Sequence, residues 1–403
     1  MAKCVDDKIM KVDMASIFSC ETSRAIPPLR GAGGCHRKTV RNQEHTPQGG
    51  NIFRALFYKR ASLLLLIAFL TSCGVEKFPL PQEQNTNQGN TAVSDTTYLQ
   101  LRPVWNAATG YDLKAPHDIL VGREPLIYLA DTDNHRILML DLAGNILGSS
   151  QRLEHPVALT QDSKLNLLVV TDSNKIYRLN LVAAQHRIAN AAVETVFHEI
   201  DNPDRSYTGI AAVLATVQNE AAIFYFVTAT GNDKKDNQVL IFPENFNVRI
   251  PDAVSLEPNG LGILSAATPS GVTALRDFSG DFIFCMTGDN SFKVQWVTAG
   301  QFGFVPRLNP SQGNFDIFAQ DKFAAPEDVA VDAEGNIFVV DAARHALFKF
   351  SAAGEEQQSF GSLGAGEKQF NAPKGVAFFN RTLYVADTGN DRIVRFRLST
   401  DVN

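Results

Sequence analysis

The chain has 403 residues, 44% of them hydrophobic and 20% charged, with a formal net charge of −6. That composition excludes a disordered chain and leaves enough apolar material for a large core. From residue 73 onward it carries 26 Lys+Arg against 38 Asp+Glu, net −12, which argues against the basic surface that nucleic-acid binding needs.

In chain order, residues 1–58 come first. They hold three of the five cysteines (Cys4, Cys20, Cys35) and no periodic apolar pattern, and read as a leader that is disordered or not translated. Residues 59–72 follow within "YKRASLLLLIAFLTSCG". Lys59 and Arg60 precede a ten-residue apolar run, Ala61 to Leu70, too short to span a bilayer, which takes about 20 residues. A basic flank, a short apolar stretch and small residues make a secretory signal. "LTSC" resembles the lipobox of bacterial lipoproteins, which implies cleavage before Cys73 and a lipid on its thiol. Such signals start near the N-terminus, so translation is expected to begin just before Lys59. Residues 73–97, rich in Gln, Asn, Thr and Pro, read as a flexible tether. Its reach is on the order of 25 Å.

From residue 98 to 400 the sequence repeats itself. "APHDILVGREPLIYLADTDNHRILML" (from Ala115), "APEDVAVDAEGNIFVVDAARHALFKF" (from Ala325) and "APKGVAFFNRTLYVADTGNDRIVRF" (from Ala372) are three copies of one pattern. Each copy has a Pro-led strand, a strand ending in Asp, a polar turn and a third strand; the first two copies also have a fourth strand. Weaker copies cover His155–Leu181 (keeping Asp172), Thr208–Phe242 and Ser270–Val297. Six units of about 50 residues fit the blades of a propeller. The expected fold is all-β: a six-bladed β-propeller of four-stranded antiparallel blades. The last unit stops after its third strand. The stretch from Tyr98 to Pro116 aligns with the fourth strand of the fifth unit, Trp105 falling at the place of Phe360. The N-terminal strand should therefore complete the last blade, which removes exposed sheet edges.

"YLADTDNHRILML" and "YVADTGNDRIVRF" resemble the NHL repeat, a blade type of six-bladed propellers. The resemblance implies that the Asp ending the second strand faces the Arg opening the third, giving the structural pairs Asp131–Arg136 and Asp387–Arg392. The fifth unit has Ala346 at the Arg position and the third has Gln238. The Asp position of the third and fourth units falls at about Thr228 and Thr287. The middle blades should then rest mainly on apolar packing. Cys285 in "DFIFCMTG" reads as a small buried hydrophobe.

Function in propellers concentrates at the channel mouth, where the Pro-led strands begin. His117, Asp118, Glu327, Asp328 and Lys374 follow those prolines in three units that ring closure makes adjacent, so they are the candidate binding residues. "APHDI" also resembles the Pro-His-Asp strings of the peptide α-amidating lyase, which implies a zinc site built from three histidines. Here only His117 matches, and a catalytic zinc takes three protein ligands. No G-x-S-x-G or H-E-x-x-H string is present. His135 and His345 read as solvent-facing turn residues. The functional expectation is a monomeric lipoprotein, lipid-anchored to a membrane of the bacterial cell envelope, acting as a non-catalytic scaffold for a protein, peptide or glycan. No catalytic residues, metal or cofactor are expected. The alternative is a propeller enzyme of lyase or lactone-hydrolase type with a polar or metal site at the mouth.

Overall fold

The computed structural model describes residues 97–401, except 218–219, 248, 251–253, 255, 276–277, 279 and 301–302. The leader, the signal, Cys73 and residues 73–96 of the tether lie outside the described residues. No helix among the described residues is long and apolar enough to cross a membrane.

Residues 98–401 form a six-bladed β-propeller. Its innermost strands are Pro116–Val121, Pro156–Gln161, Ser206–Val217, Pro269–Ala274, Pro326–Val331 and Gly375–Phe379, one in each of blades I to VI. Five blades are four-stranded antiparallel sheets. Blade III has three strands, and its outer position is marked by one bridge from Ile250 to Ile241. A short parallel pair, Glu257–Pro258 with Ser265–Ala266, lies between blades III and IV in the chain. The inner hairpin of blade III is twice the usual length, Ser206–Val217 against Glu220–Thr230, and extends away from the Pro-led end.

The ring closes where the sequence pattern placed the seam. Tyr98–Gln100 pairs antiparallel with Phe396–Leu398, and Trp105 bridges Ile393. That bridge matches the pairing of Phe360 with Leu347 in blade V. Closure shows in the cores as well. Six apolar clusters are present, one at each junction between neighbouring blades. The cluster between blades VI and I contains fully buried Trp105, and that between V and VI contains Tyr98.

Two blades are pinned by the Asp–Arg pair. Asp387 accepts from Arg392 Nε at 2.6 Å, from Asn390 Nδ2 at 2.9 Å and from the Asn371 N–H at 2.7 Å. Asp131 accepts from Arg136 Nε at 2.7 Å, Asn134 Nδ2 at 2.9 Å and the Lys114 N–H at 2.8 Å. Each carboxylate thus ties the turn after its strand to the loop that enters the same blade. In blade V the Arg is missing, and Asp341 takes the N–H groups of Ala324, Ala325 and Arg344 instead. Burial pushes the Asp387 carboxyl up even against these donors. The pair therefore offsets the cost of burying the charge and fixes geometry, as buried ion pairs do elsewhere.

The register corrects three sequence assignments by one residue. The position equivalent to Asp131 is Thr171 in blade II, not Asp172; Ala229 in blade III, not Thr228; and Met286 in blade IV, not Thr287. Blades III and IV are held by stacked aromatics, with Phe226 and Phe282 centroids 4.4 Å apart. Cys285 is fully buried there, beside Ser270 Oγ at 3.4 Å, and burial pushes its thiol up. Blades II and III pack through an apolar cluster that includes Leu168, Val170, Tyr225 and Phe242, with one buried ion-pair set beside it. Arg205, 6% exposed, joins Glu199 at 2.6 Å and Asp236 at 3.2 Å.

Trp105 fills the seam on behalf of the N-terminal strand. Trp105→Ala should lower stability by about 3–5 kcal/mol, read as a drop in the urea midpoint. A loss below about 1 kcal/mol would mean that this segment does not close the ring.

Candidate functional site

Four of the innermost strands begin at a proline, and that of blade VI follows Pro373 by two residues. After each proline the chain bulges, the register shifting between Pro116 and Asp118 and between Pro326 and Asp328. The bulge turns the next two side chains toward the axis. The six inner strands enclose a channel of about 920 Å³. His117, Asp118, Glu327, Asp328 and Lys374 all line it. They come from blades V, VI and I, which are neighbours in the closed ring.

The strands approach closely at this level. A Cβ on Gly375 would lie 2.6 Å from the His117 carbonyl oxygen, and one on Gly271 2.5 Å from the Glu327 carbonyl oxygen. Only glycine fits at these two places. Where the neighbour is Asp, its carboxylate bridges blades. Asp118 Oδ2 accepts the Leu159 N–H of blade II at 2.8 Å, and Oδ1 accepts its own neighbour's N–H, Ile119, at 2.6 Å. Asp328 Oδ2 accepts the Val376 N–H of blade VI at 2.8 Å. Further along, Thr160 Oγ1 accepts the Ala212 N–H at 3.1 Å, and Gln161 Oε1 accepts the Arg123 N–H at 2.7 Å.

Lys374 and Glu327 carry no such duty, whereas the His117 imidazole hydrogen-bonds the Val157 backbone of blade II. Lys374 Nζ lies 3.3 Å from His117 Nε2. Glu327 makes no side-chain hydrogen bond among the described residues. All five side chains keep some water access through the channel while protein encloses them on the remaining sides. That enclosure sets their protonation. Burial, then the neighbouring Lys374 charge, pulls the His117 imidazole down to about 3. Burial pushes Asp118 up to about 6, with its two backbone donors acting in the opposite sense. Burial and the Asp118 charge together push Asp328 well above the usual carboxylate range. Burial also raises Glu327, with Lys374 offsetting part of the rise.

At neutral pH the mouth thus presents a neutral His117 imidazole beside the Lys374 and Glu327 side chains. Beneath them two carboxyls repel each other. Among the described residues these channel groups do not form a set of three metal-donor side chains within 4.8 Å of one another. Sequence reasoning missed the depth of the channel. Arg307 sits over the Trp296 ring at 4.8 Å, and Trp296 Nε1 donates to Asp281 at 3.2 Å, all three lining the same cavity. These residues lie in the blade with the weakest repeat, so the pattern gave no signal for them. The turn histidines are not merely solvent-facing either. His135 Nδ1 accepts the His155 N–H at 3.3 Å, and His345 Nδ1 accepts the Ala372 N–H at 3.0 Å.

No protein-family model matches the chain, and no curated protein matches it. Solved structures do match it. A protein of unknown function from Bacteroides thetaiotaomicron has a TM-score of 0.52 at 12% identity, over 75% of this chain and 76% of its own. A gluconolactonase from Xanthomonas campestris has a TM-score of 0.50 at 12% identity, over 75% of this chain and 95% of its own. An auxiliary nutrient binding protein from Bacteroides thetaiotaomicron has a TM-score of 0.50 at 12% identity, over 71% of this chain and 69% of its own. At such identities the likeness is one of fold. It places the chain in the class of six-bladed propellers.

The Asp118 value has a consequence for stability. Its folded-state value lies above the unfolded one, so the folded protein holds that proton more tightly. Ionised Asp118 therefore subtracts stability near neutral pH, and the penalty fades as pH falls through about 6. His117 has the opposite slope, losing stability as pH falls from its ordinary value toward about 3. The difference between wild type and Asp118→Asn isolates the carboxyl. The variant gives up one of the two acceptor oxygens at every pH, so the test is the pH dependence of the gap between the two melting temperatures: relative to wild type the variant should lose ground as pH drops from about 7 to about 4, where the unfolded carboxyl also protonates. An unchanged gap across that range would refute the assignment.

Proposed function

We propose that this chain is a bacterial envelope lipoprotein whose NHL-type propeller binds, without catalysis, a ligand rich in hydrogen-bond donors at the mouth formed by blades V, VI and I. Glycan hydroxyls and peptide or protein amines and amides have that chemistry. One observation carries the reading: Glu327, Lys374 and His117, from three successive blades, meet at the mouth of one channel. Lys374 Nζ reaches His117 Nε2 at 3.3 Å, and the frame does not use the Lys374 or Glu327 side chain for a backbone hydrogen bond among the described residues, while His117 bonds the Val157 backbone. A ligand that enters here exchanges water for fixed acceptors on a rigid ring, which limits the entropy lost on binding. The Glu327 carboxyl faces the channel without a side-chain hydrogen bond among the described residues, which favours a donor-rich ligand.

The enzyme reading has one observation in its favour. Asp118, at about 6, lies in the range of a general base. Against it, both Asp118 oxygens already accept backbone N–H groups, and His117, held neutral down to about 3, is a weak base. The binding reading stands first.

Capture from detergent-solubilised envelope tests it. Wild type should retain a ligand that Glu327→Gln and Lys374→Ala release, and retention should weaken as pH falls through about 6. Equal capture by wild type and both variants would sink the reading. The anchor is tested separately. Cys73→Ser should move the protein from the membrane to the soluble fraction, and intact-mass measurement should find the lipid on Cys73 in wild type. A wild-type chain without lipid would remove the anchor and leave the channel proposal untouched.

A further inference from the structure

A second cluster lies away from the channel, at the junction of blades I and II. His135 ends the turn after the second strand of blade I, in the left-handed region at φ 55°. Glu154 and His155 directly precede Pro156, which opens blade II. One ring nitrogen of each histidine and one carboxylate oxygen of Glu154 lie within 4.8 Å of one another. His135 Nδ1 is 3.1 Å from Glu154 Oε2, and the two imidazoles meet edge to face with centroids 4.5 Å apart. Asp133 Oδ1 stands 3.6 Å from His155 Nδ1, and Arg152 Nε holds the other Glu154 oxygen at 2.6 Å. The set is half-exposed on the rim: His155 is 43% and Glu154 62% accessible.

The other junctions show what the fold itself requires here. Between blades V and VI, His345 Nδ1 accepts the Ala372 N–H at 3.0 Å. Between VI and I, Asp391 Oδ1 accepts the Ala115 N–H at 2.7 Å. Between I and II, His135 Nδ1 accepts the His155 N–H at 3.3 Å. The shared device is one acceptor on the turn and one backbone donor before the proline. The two residues before the proline are Asn371 and Ala372, or Lys114 and Ala115, at the other two junctions. Glu154 and His155 occupy those places at the blade I–II junction alone, and the backbone latch does not need their side chains.

We propose that His135, Glu154 and His155 form a site for a borderline divalent transition metal, Zn²⁺ foremost, that clips blade I to blade II. Two imidazoles and a carboxylate are the donor set such ions select over Mg²⁺ or Ca²⁺. They leave a fourth position for water or Asp133. Tetrahedral zinc with donors at about 2.0–2.1 Å spaces them about 3.3 Å apart. Rotation of these half-exposed side chains closes the remaining distance, with Arg152 releasing Glu154. A neutral imidazole has one lone pair to offer. Ligation therefore takes from His135 the acceptor that now holds the His155 N–H, and the metal replaces a backbone latch with a clip across the same junction.

Calorimetric titration of the full chain with ZnCl₂ tests this. One Zn²⁺ per chain should bind and raise the melting temperature, and MgCl₂ should do neither. His155→Ala installs the residue already present at Ala372 and Ala115. It should fold as wild type does and weaken Zn²⁺ binding by about tenfold or more. Glu154→Gln is the independent second variant and should weaken it too. Failure of wild type to bind Zn²⁺, or undiminished binding by either folded variant, overturns the site.

Discussion

The inner edge of each blade is the constraint on which the rest depends. A propeller turns six sheets so that one edge of each faces the axis, and the N–H groups on that edge have no further strand to pair with. A buried, unpaired N–H costs free energy comparable to a lost hydrogen bond. This protein answers with side chains from the neighbouring blade. Asp118, Asp328 and Thr160 each accept an N–H from an adjacent inner strand, and Gln161 accepts that of Arg123 in the loop just after one. The same crowding that makes these bonds short leaves room only for glycine at Gly271 and Gly375. A polar channel lining is therefore a consequence of closing the ring before it is anything else.

That reasoning separates residues that look alike in a list of channel side chains. Asp118 and Asp328 are stitches, and their displaced protonation reports the cost of burying carboxylates where backbone donors need them. Glu327 and Lys374 are not stitches, and His117 makes one bond to the Val157 backbone. All three sit one position earlier and line the channel, where they can meet a solute. Their placement at the seam between blades VI and I ties recognition to closure, because Lys374 stands on the blade that Tyr98–Gln100 completes.

Much of this was legible in the sequence because period and punctuation carry the fold. Pro before the first strand, Asp at the end of the second and the split last unit gave six blades and their closure. They also brought His117, Asp118, Glu327, Asp328 and Lys374 to one channel. Counting along the chain could not give the register in blades II to IV. There Thr171, Ala229 and Met286 hold the place that Asp131 holds in blade I, each one residue from the nearest Asp or Thr in the pattern. Without the Asp–Arg pair those blades lack the marker that fixes the alignment. Nor could it show that Arg205 would be buried between Glu199 and Asp236, since Arg205 and Glu199 lie in the loop between blades II and III and Asp236 in a later turn of blade III.

The six junctions are consequently unequal. From blade V through VI and I to II, hydrogen-bonded turns latch each blade to the next: His345 to Ala372, Asp391 to Ala115, His135 to His155. Between III and IV an aromatic contact built on Phe226, Phe282 and Phe304 accompanies a bond from Thr208 Oγ1 to the Pro269 carbonyl at 2.8 Å, with no turn-to-loop latch of that kind among the described residues. Apolar packing tolerates small slips, whereas a directional hydrogen bond tolerates fewer. Groups that must hold a ligand or an ion within a fraction of an ångström belong on the part of the frame fixed by directional bonds. Both the channel mouth and the His135–Glu154–His155 cluster lie in that latched arc, and the long hairpin of blade III lies outside it.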